Sequence, residues 1–223
     1  MTEIYLVRHG QASFASDNYD QLSDLGRRQS EFLGQYFAER HISFAQVFTG
    51  SQQRHRQTAD AILRDREKPA HRIHPGLNEY DFSALYRAYM DQHPAEGDQA
   101  RDGDRRIFYR RLKKALALWA EDGLRGELPE SWSAFSDRVS AAFNHIRDDV
   151  RGPCLVVSSG GAISMLIGQI LALAPPRIID LNLQIRNASF SHIRLGRDAA
   201  HLSSFNNIPH LDRIDRLNAI TYS

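Results

Sequence analysis

"IYLVRHGQA", residues 4–12, is an apolar run that breaks off on an arginine, a histidine and a glycine. Residues 3–8 combine β-branched and large apolar side chains in the pattern of a short buried strand, and Gly10 ends it. An apolar strand needs no cationic pair at its tip, so Arg8 and His9 have to be explained by something they hold. Whether other segments bring matching groups to the same edge decides fold and function together.

Working outward, apolar residues Leu25, Phe32, Leu33, Tyr36 and Phe37 recur at helical spacing from about Asp24 to Arg40, with Ser23 placed as N-cap. "QVFTG" (46–50) reads as a second short strand, followed by a helix through Thr58, Ala59, Ile62 and Leu63. Strands alternating with helices predict an α/β layered domain with a largely parallel sheet. From about 82 to 149 the pattern turns helical with charged interruptions, and Trp132, Phe135, Val139, Phe143 and Ile146 form one stripe. This segment is expected to be a helical insertion that could cover a site. "CLVVSS" (154–159) resumes the sheet as a fully apolar strand, and "AISMLIGQILAL" (162–173) reads as a buried helix after the Gly160-Gly161 turn. Further strands are expected around "IIDLNLQI", "SFSHIRL" and "HLSSF". With no repeat, low-complexity tract or long linker, residues 1–223 read as one domain.

Composition narrows the function. Lys plus Arg total 28 against 27 for Asp plus Glu, so no global field draws in nucleic acid or an anionic membrane, and any selectivity for anions must be local. The basic cluster Arg105, Arg106, Arg110, Arg111, Lys113 and Lys114 spreads around a helix and is flanked by acids, which reads as a solvated face. The single cysteine, Cys154, lies in an apolar run and reads as a small buried hydrophobe. The N-terminal apolar run is too short for a signal peptide or an anchor, so a cytoplasmic location is expected. His71 and His74 have no acidic or cysteine partner at ligand spacing, and neither a metal site nor a cofactor is expected.

In open α/β sheets, ligands collect outside the carboxyl ends of the strands, where loops lead into helix N-termini. Arg8-His9-Gly10, the loop leading to Arg54, and Ser158-Ser159-Gly160-Gly161 all occupy that kind of position. Guanidinium forks pair bidentately with phosphate oxygens, and glycines let backbone N–H groups approach closely. Arg8 and Arg54 are therefore the candidate clamp, with Gln11, Ser159 and Gly160 as further substrate-binding residues. His9, with an ordinary pKa of about 6.5, can be neutral and offer a ring nitrogen as nucleophile. Glu79 in "GLNEYDF" is the candidate general acid, provided desolvation or nearby negative charge raises its pKa. Taken singly, each of these residues has an ordinary structural reading; their ordered convergence on one sheet edge is what points to a shared anion.

These segments together resemble the histidine phosphatase superfamily, in its phosphoglycerate mutase-like branch. The resemblance rests on "LVRHGQA", "LSDLGRRQ" (22–29), "RHRQTA" (54–59), "LNEYDF" (77–82), "VVSSGGAI" (156–163), "RNAS" (186–189) and "NNIPHL" (206–211), which span nearly the whole chain in order. It implies a three-layer α/β/α fold, His9 as the phosphorylated nucleophile, Arg8 and Arg54 as phosphate clamps, Glu79 as proton donor, and no metal. One departure matters. The family's turn normally reads Ser-His-Gly-Gly with its second histidine on the phosphoryl group, and here the aligned residue is Ser159. Losing one preorganised transition-state donor slows turnover by about 10²–10³-fold, so weakened chemistry with better-preserved phosphate binding is expected.

The leading expectation is a phosphohydrolase acting on a small phosphate monoester through phosphorylated His9. The alternative is a catalytically silent phospho-ligand binding or scaffolding protein that keeps the arginine clamp, and a phosphomutase would share the first half-reaction. A serine-hydrolase elbow at Ser158 or Ser159 fails because G-x-S-x-G needs a glycine two residues before the serine, where Val156 and Val157 stand. His192, His201 and His210 are the later histidines that could substitute for the missing one.

Overall fold

The computed structural model describes residues 2–13, 20–66, 69–97 and 105–222. Its single sheet contains β1 (Thr2–Arg8), β2 (Gln46–Thr49), β3 (His71–Ile73), β4 (Cys154–Ser158), β5 (Phe190–Leu195) and β6 (Ala200–Asn207) in the order β3-β2-β4-β1-β5-β6. The first four strands run parallel, and β5 and β6 are antiparallel additions at one side.

The strands are buried on both faces, which is why they read as continuous apolar runs. Alternation along them still sorts side chains: Ile4 and Leu6 go to one face with Phe48, Cys154 and Val156, while Tyr5 and Val7 go to the other with Val47, Leu155 and Val157. The second face is covered by α1 (Asp24–Glu39) and α2 (Gln53–Ile62), through Leu33, Phe37, Ala59 and Ile62. The first is covered by α3 (Phe82–Gln92), α5 (Arg105–Ala120), α6 (Trp132–Asp149), α7 (Gly160–Ile170) and α8 (Pro175–Asn182); the short α4 is Pro94–Gly97. The architecture is thus a three-layer α/β/α sandwich with a mostly parallel sheet.

Ser23 caps α1 as expected, its side chain accepting from the Gly26 amide. The stripe on α6 is buried at Phe135, Val139, Phe143 and Ile146, directly in the core beside α7. The basic cluster is not uniformly solvated: Arg111 is buried against Glu96, while Lys113 and Lys114 pair with Asp180 and Glu96. Asp102 and Asp104, which flank it, lie outside the described residues. Cys154 is fully buried, and desolvation pushes its thiol pKa up to about 12, so it behaves as a small hydrophobe.

One strand expectation needs correction, and one strand was not expected. "IIDLNLQI" is not a strand, because its first residues lie within α8. Pro175 and Pro176 preset helical φ at the first turn, and Ile178 packs against Gly168 of α7, where even an added methyl would lie 2.4 Å from the Ile178 side chain. The three-residue β3 had no strand-like periodicity to find; it exists because β2 offers it a parallel partner.

Candidate active site

Strand register gathers the site. Arg8 lies opposite Ser158 and Thr49 opposite Val157, so β1, β4 and β2 end side by side. The His9 amide continues the ladder to the Ser158 carbonyl at 2.9 Å, and the Gly50 amide reaches that of Val157. Beyond these ends the chain turns into α2 and α7, whose first residues face the same cleft. The loop after β1 packs directly on α1: a methyl on Gly10 would sit 2.2 Å from the Gly26 carbonyl oxygen, so only glycine fits.

Arg8, His9, Arg54 and Glu79 line one cleft, together with Tyr80, Phe82, Phe108 and Tyr109. His9 is 5% exposed, and its Nδ1 lies 2.7 Å from the Gly10 carbonyl oxygen. A carbonyl only accepts, so Nδ1 carries the proton and Nε2 presents a lone pair. Arg54 Nε approaches that Nε2 at 3.2 Å. Burial, followed by the charges of Arg54 and Arg8, holds the His9 pKa well below its ordinary value and keeps the ring neutral.

Arg54 is itself buried and held on several sides. Nη1 pairs with Asp20 at 2.9 Å, and Nη2 donates to Gln52 Oε1 at 3.0 Å and approaches Ser159 Oγ at 3.5 Å. Arg8 turns Nη1 to the carbonyl oxygens of Ile185 and Tyr222. Glu79 rests its carboxylate on the start of α7, where the Gly161 amide donates to Oε2 at 3.1 Å. Desolvation raises its pKa, against the opposing pull of the Gly161 amide, Arg54 and Arg8. Gly161 must lack a side chain, since a methyl there would lie 2.2 Å from Glu79 Oε1 and 2.3 Å from the Tyr80 ring.

The Glu79 loop is fastened from beneath. Arg138 on α6 donates from Nη1 to the carbonyls of Gly76 and Asn78, and a fork of Nε and Nη2 to Glu130 fixes the guanidinium. Ser158 Oγ donates to the Leu77 carbonyl at 2.6 Å, and Gln52 accepts the Glu79 amide.

Of the residues singled out in the sequence, the structure brings together Arg8, His9, Arg54, Glu79, Ser159 and Gly160, where the Arg8 guanidinium lies beside Gly160. Gln11 is not among the residues lining that cleft: its side-chain oxygen accepts from Ser23 Oγ at 2.9 Å, and its backbone amide donates to Gln29. None of the later histidines fills the place at 159. His192 faces Glu3, His201 lies exposed on β6, and His210 packs near Tyr36 with ring centroids 6.4 Å apart. Sequence reasoning missed Asp20, Gln52, His55 and Arg138. Only His55 had a signal, standing next to Arg54 in a helix that ends at the site.

The chain belongs to the histidine phosphatase superfamily, branch 1, whose family model matches residues 4–208. No curated protein sequence matches it. Among solved structures, it is similar to the alpha-ribazole phosphatase of Shigella flexneri, at 22% identity and a TM-score of 0.67, covering 92% of this chain and 96% of that one. The phosphoserine phosphatase of Entamoeba histolytica is 20% identical with a TM-score of 0.66, over 95% of this chain and 100% of that one. A phosphoglycerate mutase from Bacillus anthracis is 18% identical with a TM-score of 0.63, over 94% of each chain. At these identities the likeness establishes the shared fold.

Three buried histidines make stability depend on pH. Burial holds His9 and His55 well below the ordinary imidazole value, and burial with Arg216 nearby pushes His210 down to about 3. Each depressed ring contributes stability that is complete above the unfolded pKa of about 6.5 and is lost as pH falls below it. The raised pKa of Glu79 works oppositely, favouring the fold at low pH. Unfolding in mildly acidic solution should then take up protons on these rings, so stability should fall on acidification below about pH 6.5. Urea midpoints at pH 7 and pH 5 measure this; an unchanged midpoint would mean that the rings titrate normally in the fold.

Proposed function

We propose that the protein is a phosphohydrolase acting on small phosphate monoesters through a phosphohistidine on His9. The observation that carries this reading is the pairing of a neutral His9, its Nδ1 committed to the Gly10 carbonyl, with Arg54, whose Nε donates to His9 Nε2 at 3.2 Å and would pass to a phosphoryl oxygen when the lone pair attacks. A guanidinium at that distance from the attacking atom is placed to hold phosphoryl oxygens around it.

In the first step His9 Nε2 attacks phosphorus, a P–N bond forms, the P–O ester bond breaks, and Glu79 gives its proton to the departing oxygen. In the second, water attacks phosphorus, the Glu79 carboxylate takes the water's proton, and the P–N bond breaks to release inorganic phosphate. Arg8, Arg54 and the amides at the start of α7 neutralise charge on the transferring group throughout. Tyr80, Phe82, Phe108 and Tyr109 give the cleft an aromatic wall, which suits an ester with an apolar leaving group.

The test is rapid quenching under alkaline conditions during turnover of an aryl phosphate. One acid-labile phosphoryl group on the peptide containing His9, formed fast enough to account for turnover, is the expected result. Labelling elsewhere would remove the phosphohistidine. Ser159 motivates the second reading, a phospho-ligand binding protein without turnover. Calorimetry that detects inorganic phosphate binding, beside no hydrolysis of any ester in a broad panel, would favour it.

A further inference from the structure

The turn that carries Ser159 has an imidazole directly behind it. His55, on α2 next to Arg54, is wholly buried, and its Nε2 lies 2.7 Å from Ser159 Oγ. Its ring centroid is 5.6 Å from that of His9. Arg54 Nη2 approaches the same Ser159 oxygen at 3.5 Å. The other nitrogen of His55, Nδ1, has no hydrogen-bond partner among the described residues and is pressed against Gly50, where a methyl would lie 2.3 Å from it.

We propose that His55 is a positioning residue for phosphoryl transfer, acting through Ser159: its Nε2–H and the Arg54 guanidinium occupy the acceptor sites of the Ser159 hydroxyl, which must then donate its own proton into the phosphoryl site. A hydroxyl has one hydrogen and two acceptor positions, so two donors arriving from the protein leave the hydrogen of the buried Ser159 a single remaining direction, on the side away from His55 and Arg54. The tautomer follows from packing. A hydrogen on Nδ1 would find no acceptor among the described residues and leave a buried N–H unpaired, which folded proteins avoid more strictly than a bare acceptor. Burial and the Arg54 charge keep the ring neutral, so it has only one proton to place. Ser159 also sits at the N-cap of α7 without using its hydroxyl to cap the helix, which leaves that hydroxyl for the ligand.

The catalytic consequence rests on the phosphohistidine reading; the hydrogen-bond arrangement does not. Ser159→Ala, His55→Leu, His55→Gln and the pair Ser159→Ala with His55→Leu are compared on an aryl phosphate. Ser159→Ala should lower kcat by about 10²-fold, the usual loss for one transition-state donor, with a much smaller change in KM. His55→Leu should lower kcat by roughly tenfold or more, and the pair should be no worse than Ser159→Ala alone, because both act through one hydroxyl. His55→Gln, whose side-chain amide can donate near the position of Nε2, should recover most of the loss. A His55→Leu variant with wild-type kcat, or losses that multiply in the pair, would overturn the proposal.

Two measurements stand apart from turnover. Nitrogen-15 spectra of the wild-type protein should show His55 protonated at Nε2 and bare at Nδ1, and the reverse assignment overturns the proposal even if the enzyme is active. Inorganic phosphate titrated by calorimetry should lose affinity in His55→Leu, at least as much in Ser159→Ala, and no more in the pair than in Ser159→Ala. If the wild-type protein hydrolyses no ester, the phosphohistidine reading fails while these two results still decide the role of His55.

Discussion

Replacing His9 by alanine is expected to lower kcat for an aryl phosphate by at least about 10⁴-fold, the scale seen when a covalent nucleophile is removed from an otherwise intact site. Inorganic phosphate should still bind, with affinity within about tenfold of the wild type, because Arg8, Arg54 and the amides of α7 remain. The contrast follows from the proposed mechanism, in which the ring supplies the attacking lone pair while the charges that hold the anion belong to other residues. Parallel turnover and calorimetry on both proteins check it. Equal product release by wild type and His9→Ala would remove His9 from the reaction and with it the proposed mechanism.

The second large effect belongs to Glu79, and it should depend on the leaving group. Glu79→Gln keeps the shape but has no proton to give, so hydrolysis of an alkyl phosphate should slow by about 10²–10⁴-fold, the range for a lost general acid. A nitrophenyl phosphate departs without protonation, and its first step should be almost unaffected. The sign with pH is fixed by the raised pKa of the buried carboxyl. Wild-type activity on the alkyl ester should fall as pH rises through that pKa and the acid loses its proton; in Glu79→Gln the alkaline limb should vanish. A bound phosphate dianion raises the pKa further and carries the acid form toward neutral pH. Equal losses on both esters would assign Glu79 to binding.

Much of this site was legible because strand ends in a parallel sheet come with their own punctuation. "LVRHG" and "VVSSGG" each announce a buried strand followed by a turn, and the parallel register of β1 and β4 places those turns together. Helix α1 was equally readable, since its cap and its apolar spacing are local. What escaped was the long-range support. Arg138 binds carbonyls some sixty positions earlier in the chain, and Asp20 reaches Arg54 from a separate loop. Nothing local in "SDRVS" or "NYDQL" marks either contact. The same holds for α8, where an apolar segment that suits a strand is overruled by two prolines upstream and by the groove that Gly168 opens in α7. Gln11 shows the converse: it lies two positions from His9 in sequence, yet its side-chain oxygen faces Ser23 on the α1 side.

The strand order has a consequence for biosynthesis. β4 fills the slot between β2 and β1, so the two earliest strands cannot join through their shared neighbour until residues 154–158 have left the ribosome. The Glu79 loop likewise waits for Arg138 and Ser158 to tether it. A nascent chain that stops short of the fourth strand therefore carries His9 and Arg54 on halves with no sheet contact between them. The cleft is therefore assembled late: its two halves meet when the middle of the sheet closes, and Arg8 gains its carbonyl partners Ile185 and Tyr222 only after that.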